Sequence, residues 1–391
     1  MNTTQSPKSS LKIRGIQYRD LAPIASLLEQ RLSLEYNYKF ASLLTQIQQY
    51  QSCYGLLQLA QILPANWNRD FNVFVAEKDG QIQGLIQVAP FNQNRSTWQV
   101  QQVLINHNTS LRHLLVGQCS IGSQLLRHCF EKIWEARTWV LEVDINEKNS
   151  LALYKENGFQ PIAEMTTWRC TPEILAELAQ KEPNLPNLLP VSNADSRLLY
   201  QLDCVSLPPT IRQVFDRHVE DFKTGLFSYV SQAIKSFWHK EEIIKAYVFE
   251  PQRKAAIGYF ELTICQDASR CHEATLTVHP AYTWLYPKLL TQMASVIQAF
   301  PPQSLILSSG DYQPEREEFL EKIGALRVEQ NLLMSRSVWH KLREAKPLES
   351  LKLQEMLQGL KPAHSPIPTH WQPSILDQQN TPPLHHEDEN R

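Results

Sequence analysis

Long apolar runs are missing from this chain. No stretch of its 391 residues reaches the length that spans a bilayer, so no membrane helix is expected. Cysteine is sparse: seven residues (Cys53, Cys119, Cys129, Cys170, Cys204, Cys265 and Cys271) are scattered, with no CxxC pair. That pattern argues against a disulfide framework and suits a reducing compartment. A basic block is absent too. The 38 Lys and Arg residues face 40 Asp and Glu, a formal net charge of -2, which argues against general nucleic-acid binding. The opening MNTTQSPKSSLKIRG is polar and lacks an apolar signal core, so the cytoplasm is the expected location. The P-loop and dinucleotide signatures are missing, which weighs against a nucleotide-dependent enzyme. No metal site is expected, and His385 and His386 read as solvated tail residues.

What is present is an ordered alternation of strand and helix signals. Ile13, Ile16 and Tyr18 suggest a short strand, and Asp20 stands at a cap position ahead of the helix LAPIASLLEQRL. A second helix or two is expected around FASLLTQIQQ. FNVFVAEKDGQIQGLIQVAPF predicts a hairpin turning at Asp79-Gly80, and TWQVQQVLIN a third strand. SQLLRHCFEKIWEA is a helix with Ile121, Leu125, Cys129 and Ile133 on one face. WVLEVDI is a strand, SLALYKENGF a short helix closed by Gly158, and PIAEMTTWRC a last strand. The order predicts an α/β fold with a mixed, mostly antiparallel central sheet flanked by helices. The antiparallel meander excludes a purely parallel Rossmann sheet.

The domain reading is 11–170 for the first unit, 171–190 for a linker or docked connection, and 191–343 for a second unit. Residues 344–391 form a short helix and then a disordered tail rich in Pro, His and acid. The second unit repeats the first in weaker form: ADSRLLYQL, the hairpin IIKAYVFEPQRKAAIGYFELTI with Gly258 in the place of Gly84, HEATLTVHPAY, WLYPKLLTQMASVIQAF, SLILSSG and EREEFLEKIGAL. Matching order favours a duplicated fold over two unrelated α/β domains.

Two segments can carry chemistry. GQCSIGS, Gly117 to Ser123, lies between a strand and an apolar-faced helix. A helix start offers unpaired N–H groups and a favourable dipole to phosphate oxygens. Gly117 and Gly122 permit close backbone approach, Ser120 less freely, and Ser123 can add a hydroxyl; the alternative is an ordinary helix start. In LEVDINEKNSLALYKENGF, the Tyr154 hydroxyl could protonate a thiolate leaving group as a general acid, or could simply pack its helix on the sheet. Asn146 and Asn149 could hold cofactor amides, or cap a helix starting near Ser150.

Read in order, residues 12–170 resemble the GCN5-related N-acetyltransferase (GNAT) family. VFVAEKDGQIQGLIQV is similar to the family's second and third strands, and WQVQQVLIN to the strand that pairs with the pantetheine arm. GQCSIG falls where the family carries Q/R-x-x-G-x-G/A, and LALYKENGF resembles LYxxxGF, whose tyrosine is commonly the general acid. Gly117 replaces the usual Gln or Arg, Ser120 replaces the first glycine, the loop 106–116 is longer than usual, and Glu147 stands where the family has an asparagine.

The resemblance implies acetyl-coenzyme A as cofactor. The main chain of Val103, Leu104 and Ile105 would pair with the pantetheine arm, and Gly117, Gln118, Cys119, Ser120, Ile121, Gly122 and Ser123 would hold the pyrophosphate, with Asn149 a further contact. Tyr154 would be the general acid, and a primary amine on a small molecule or a protein would attack the thioester directly. The base is unassigned: Gln101 and Gln102 could order a water, Glu142 is a candidate or structural, and His107 and His113 are weak candidates; Cys119 is a weak candidate for a covalent nucleophile, lacking an obvious partner base. The second copy puts Leu320 at the tyrosine position and Pro287 where open donors are wanted, so loss of cofactor binding is expected there. A non-catalytic acyl-coenzyme A sensor or scaffold is the competing reading.

Overall fold

The structure is a computed structural model describing residues 11–34, 43–44, 47–48, 72–106, 120–223, 241–268 and 270–338. The expected 344–391 helix and tail lie outside the described residues, as does most of the expected helix near FASLLTQIQQ. Leu43 and Ile47, which are described, are buried.

The first half runs β1 (Lys12–Gly15), α1 (Tyr18–Leu34), β2 (Asn72–Lys78), β3 (Gln81–Pro90), β4 (Thr97–Ile105), α2 (Ile121–Lys132), β5 (Thr138–Asp144), α3 (Lys148–Glu156) and β6 (Gln160–Cys170). After α4 (Pro172–Ala179) the series recurs: β7 (Leu188–Pro190), α5 (Ser196–Ser206), α6 (Pro209–Phe215), β8 (Glu241–Glu250), β9 (Ala255–Cys265), β10 (His272–Val278), α7 (Leu285–Ile297), β11 (Leu305–Gly310), α8 (Pro314–Lys322) and β12 (Leu326–Ser337). The duplication is therefore visible in backbone order.

All twelve strands form one sheet in the order β1-β2-β3-β4-β5-β12-β6-β11-β10-β9-β8-β7. Among the described residues only β4–β5 and β10–β11 pair in parallel. The last strand of each half has crossed over. β12 lies antiparallel between β5 and β6, and β6 pairs with β11 of the second half. The sheet therefore continues through both halves. The 171–190 connection is not bare linker: Leu175 and Leu178 of α4 are buried in the second half's core, and β7 pairs with β8.

Local chemistry explains the elements. Asp79 and Gly80 both adopt positive φ (53° and 75°), as a two-residue hairpin turn of the primed type requires. Alternation along β2 and β3 sends Val73, Val75 and Leu85 to a layer under α1, and Ala76, Ile86 and Val88 to a layer under α2. Ile121, Leu125, Cys129 and Ile133 are all buried in that second layer, although α2 stops at Lys132, short of the expected Ala136. Asp20 is not the cap of α1. It sits in the first turn and accepts from the Gln17 N–H (2.7 Å) while the Arg14 guanidinium holds it at 2.6 and 2.9 Å. Arg14 also donates to Glu77 at 2.7 Å, tying β1, β2 and α1 together.

Burial pushes the Asp20 carboxyl up. The Arg14 and Gln17 hydrogen bonds and the charges of Arg14 and Arg19 outweigh it and leave the carboxyl below its ordinary value. A depressed folded pKa stabilises the fold above the unfolded value, about 3.9, and that stability is lost as pH falls through the folded value. Asp20→Asn should lower stability at pH 7 by about 2 kcal/mol in urea unfolding, with the deficit shrinking below about pH 4.

Candidate functional site

A gap opens where β4 and β5 part. They pair over three residues only, Thr97–Gln99 against Thr138–Val140. Beyond that point β4 keeps β3 on one edge, while β5 is paired along its length by β12. The β3–β4 register slips between Gln87 and Val88, so that Gln87 faces Gln102, Val88 faces Val100 and Gln101 is the bulged residue. A bulge bends its strand, which helps β4 to diverge.

Val103, Leu104 and Ile105 lie on this diverging stretch, paired to Ile86, Leu85 and Gly84 on the β3 side. Leu104 and Ile105 are buried and Val103 is half-buried. Gln101 is exposed and Gln102 buried. Glu142 of β5 is half-buried opposite Leu333 of β12.

Helix α2 starts beside the end of β4. Gly117, Gln118, Cys119, His107 and His113 lie outside the described residues. Ser120 is the N-cap: its hydroxyl accepts from the Ser123 N–H (3.1 Å) and donates to the Ser123 hydroxyl (3.0 Å). Its carbonyl takes the Gln124 N–H. Ile121 and Gly122, at the first two helical positions, therefore supply the backbone donors of this end among the described residues. Ser123 is 1% exposed, and its hydroxyl also accepts from Asn157 Nδ2 at 2.8 Å, so it holds helices together at the base of the site.

Gly122 has a packing reason for being glycine. A Cβ there would stand 2.8 Å from Leu153 Cδ2 and 3.4 Å from Ile105 Cδ1. The same contacts bring the end of β4, the start of α2 and the body of α3 to one point.

Helix α3 starts at Lys148, two residues before the expected Ser150. Glu147 is its N-cap residue, and the Glu147 carboxylate accepts from the Ser150 hydroxyl at 2.7 Å. Asn146 is bound to Asp144 Oδ1 through its N–H and its Nδ2. Asn149 is exposed in the first turn and caps nothing. Tyr154 is buried, edge-on to Phe159 at 5.8 Å. Burial, with the Glu147 charge adding to it, pushes its hydroxyl well above the ordinary tyrosine value. The hydroxyl therefore keeps its proton throughout the neutral range, as a proton donor must.

Two residues here escaped the sequence reading. Asn157 Nδ2 bridges the Ser123 hydroxyl and the Leu153 carbonyl, each at 2.8 Å. Arg336 of β12 donates to the Asn157 carbonyl at 2.5 Å and lies 4.2 Å over the Phe130 ring. Gly158 (φ 83°) ends the turn beneath the same guanidinium. Asn157 was legible as the Asn of KENGF. Arg336 was not, because nothing local to LMSRS places it beside a helix 179 residues earlier. The second half also walls this region: Thr97 Oγ1 donates to the Val214 carbonyl at 2.9 Å, and Asn92 Nδ2 to the Phe215 and Asp216 carbonyls.

In the second half β10 and β11 likewise pair over three residues before parting. Leu320, at the position matching Tyr154, is buried in the core and offers no hydroxyl, and Pro287 in the first turn of α7 removes one N–H.

No family model matches the sequence, and no curated protein matches it. Solved structures do. A GCN5-related N-acetyltransferase from Sphaerobacter thermophilus aligns over 84% of this chain and 95% of its own, at 11% identity and a TM-score of 0.50. A tandem GNAT protein from the clavulanic acid biosynthesis pathway aligns over 84% and 98%, at 12% identity and a TM-score of 0.49.

The α2–α3 clamp can be tested directly. Asn157→Ala leaves the Ser123 hydroxyl and the Leu153 carbonyl without their shared donor and should cost about 1–3 kcal/mol in chemical denaturation.

Proposed function

We propose that this chain, which has the fold of the GCN5-related N-acetyltransferases twice over, is an acyltransferase that moves an acetyl group from acetyl-coenzyme A to a primary amine at the first-half gap. One observation carries the reading. The diverging edge of β4, the donor end of α2 and helix α3, which carries the buried Tyr154, meet through the Ile105–Gly122–Leu153 contact. In the second half Leu320 stands at the position that matches Tyr154.

In this reading the main chain of Val103, Leu104 and Ile105 binds the pantetheine amides as an extra strand would. Gly117, Gln118, Cys119, Ser120, Ile121 and Gly122 surround the pyrophosphate, and the exposed Asn149 contacts the arm from α3. Ser123 supports this loop from beneath. The amine attacks the thioester carbonyl, the tetrahedral intermediate collapses, and the sulfur leaves with a proton from Tyr154. Burial raises a thiol as it raises a phenol, so the two remain matched when both are dry. The bulged Gln101 is placed to order a water that carries off the amine proton, with Glu142 on the opposite strand.

The acceptor is an amine on a small molecule or a protein, and a reducing compartment such as the cytoplasm suits the buried thiols Cys129 and Cys170. No helix among the described residues is long and apolar enough to cross a membrane. A non-catalytic acyl-coenzyme A sensor is the second reading, favoured by Ser120 and Gly117 standing where the motif has other residues.

Calorimetric titration with acetyl-coenzyme A separates these readings from an unrelated use of the fold: saturable binding is expected, and its absence would defeat both. Tyr154→Phe should lower kcat about 10²–10⁴-fold with little change in cofactor affinity. The basic limb of the wild-type kcat profile should lie above pH 10, since the raised pKa keeps the acid protonated below it. An unchanged rate in Tyr154→Phe would remove Tyr154 from the chemistry, and binding without any turnover of amines would favour the sensor.

A further inference from the structure

The second half contains a buried cation that forms no salt bridge among the described residues. Arg316, in the first turn of α8, is 4% exposed. Its Nη1 donates to the Leu276 carbonyl (3.1 Å) and to Gln313 Oε1 (3.3 Å). Leu276 lies on β10 beyond the last residue paired with β11, so the side chain reaches across the mouth of the second gap. Gly84 pairs with Ile105 in one half and Gly258 with Val278 in the other, which makes Leu276 the counterpart of Val103. The guanidinium thus occupies backbone that the first half leaves open.

The rest of the fork is unused. Nε is fully buried without a partner, and both hydrogen bonds run through Nη1, leaving the Nε/Nη2 edge unmatched among the described residues. That edge, two parallel N–H groups in a plane, is the one that grips a carboxylate in bidentate fashion. The nearest carboxylate in sequence, Glu317, accepts from the Ser309 hydroxyl at 2.8 Å, and Arg316 forms no salt bridge within the described residues. The neighbouring titratable side chains are Tyr286 and Tyr312, both phenols held neutral by burial, and Glu317, whose charge acts on Arg316 from beyond salt-bridge distance. A guanidinium buried without an anion is costly, and its place at a helix N-terminus adds to the cost. Burial draws Arg316 down to about 10, which leaves it charged at neutral pH.

We infer that Arg316 anchors a second ligand site in the β10–β11 gap, and that this site takes a small carboxylate. The inference is independent of acyl transfer in the first half. The carboxylate supplies the missing counter-ion at Nε and Nη2. The aromatic faces of Tyr286 and Tyr312 and the aliphatic Leu276 suit a short apolar tail, and the two phenols can donate to the second face of the carboxylate.

The test uses the full chain and ¹³C-labelled acetate and butyrate, followed by NMR line broadening at constant ionic strength, with inorganic phosphate as a parallel arm. The wild type should broaden both carboxylates saturably. Arg316→Met should weaken binding at least about tenfold while folding at least as well as the wild type, because it removes an uncompensated buried charge. Arg316→Lys keeps the charge but loses the fork and should also bind at least about tenfold more weakly, so it decides the matter if the methionine variant fails to fold. Absence of broadening in the wild type, or equal affinity in either folded variant, would overturn the site and leave Arg316 as a plug. Tighter binding of phosphate than of either carboxylate would overturn the ligand class.

Discussion

The ladder between β5 and β12 is what the first-half gap depends on. A strand can leave its neighbour only if its backbone groups find partners elsewhere, since buried N–H and C=O groups are costly to leave unpaired. β5 parts from β4 after Val140, yet every residue from Thr138 to Asp144 has a partner on β12. The strand that makes the opening possible thus comes from the other end of the chain. The same strand carries Arg336, which closes over Asn157 and Phe130 at the junction of α2 and α3.

The exchange also binds the halves chemically. Trp168 Nε1 of β6 donates to the Ser309 hydroxyl of β11 at 2.8 Å, and that hydroxyl donates on to Glu317. This relay fixes the carboxylate that would otherwise be the natural partner of Arg316 one residue away. A packing contact between halves and an unpaired charge in the second gap are therefore parts of one arrangement.

Duplication kept the backbone and let the two gaps diverge. Both have parallel strands that part after three pairs. One gap has a strand edge that no described side chain crosses, a glycine at the second position of its helix and a tyrosine on the following helix. The other has an arginine across the edge, a proline in the first turn and Leu320 in place of the tyrosine. Identical topology gives these sites different chemistry because side chains, not strands, fill the opening.

Much of this was legible locally. The Asp79-Gly80 turn, the alternation of β2 and β3, the one-sided face of α2 and the Gly158 stop are short-range patterns found where expected, although α2 itself ends at Lys132 rather than Ala136. Asp20 was misplaced because a carboxylate in the first turn and one at the cap look alike until the Arg14 partner is known. The packing roles of Ser123 and Gly122 were not legible, because their partners Asn157 and Leu153 belong to the next helix and its end. The sequence by itself determined the elements, their order and their repetition, since these follow from turn chemistry and hydrophobic period. Only the tertiary structure decided that the last strands trade places, that Arg336 serves the first half and that Arg316 has no salt bridge among the described residues. Those outcomes depend on pairings between residues more than a hundred positions apart, or on which polar groups burial leaves over.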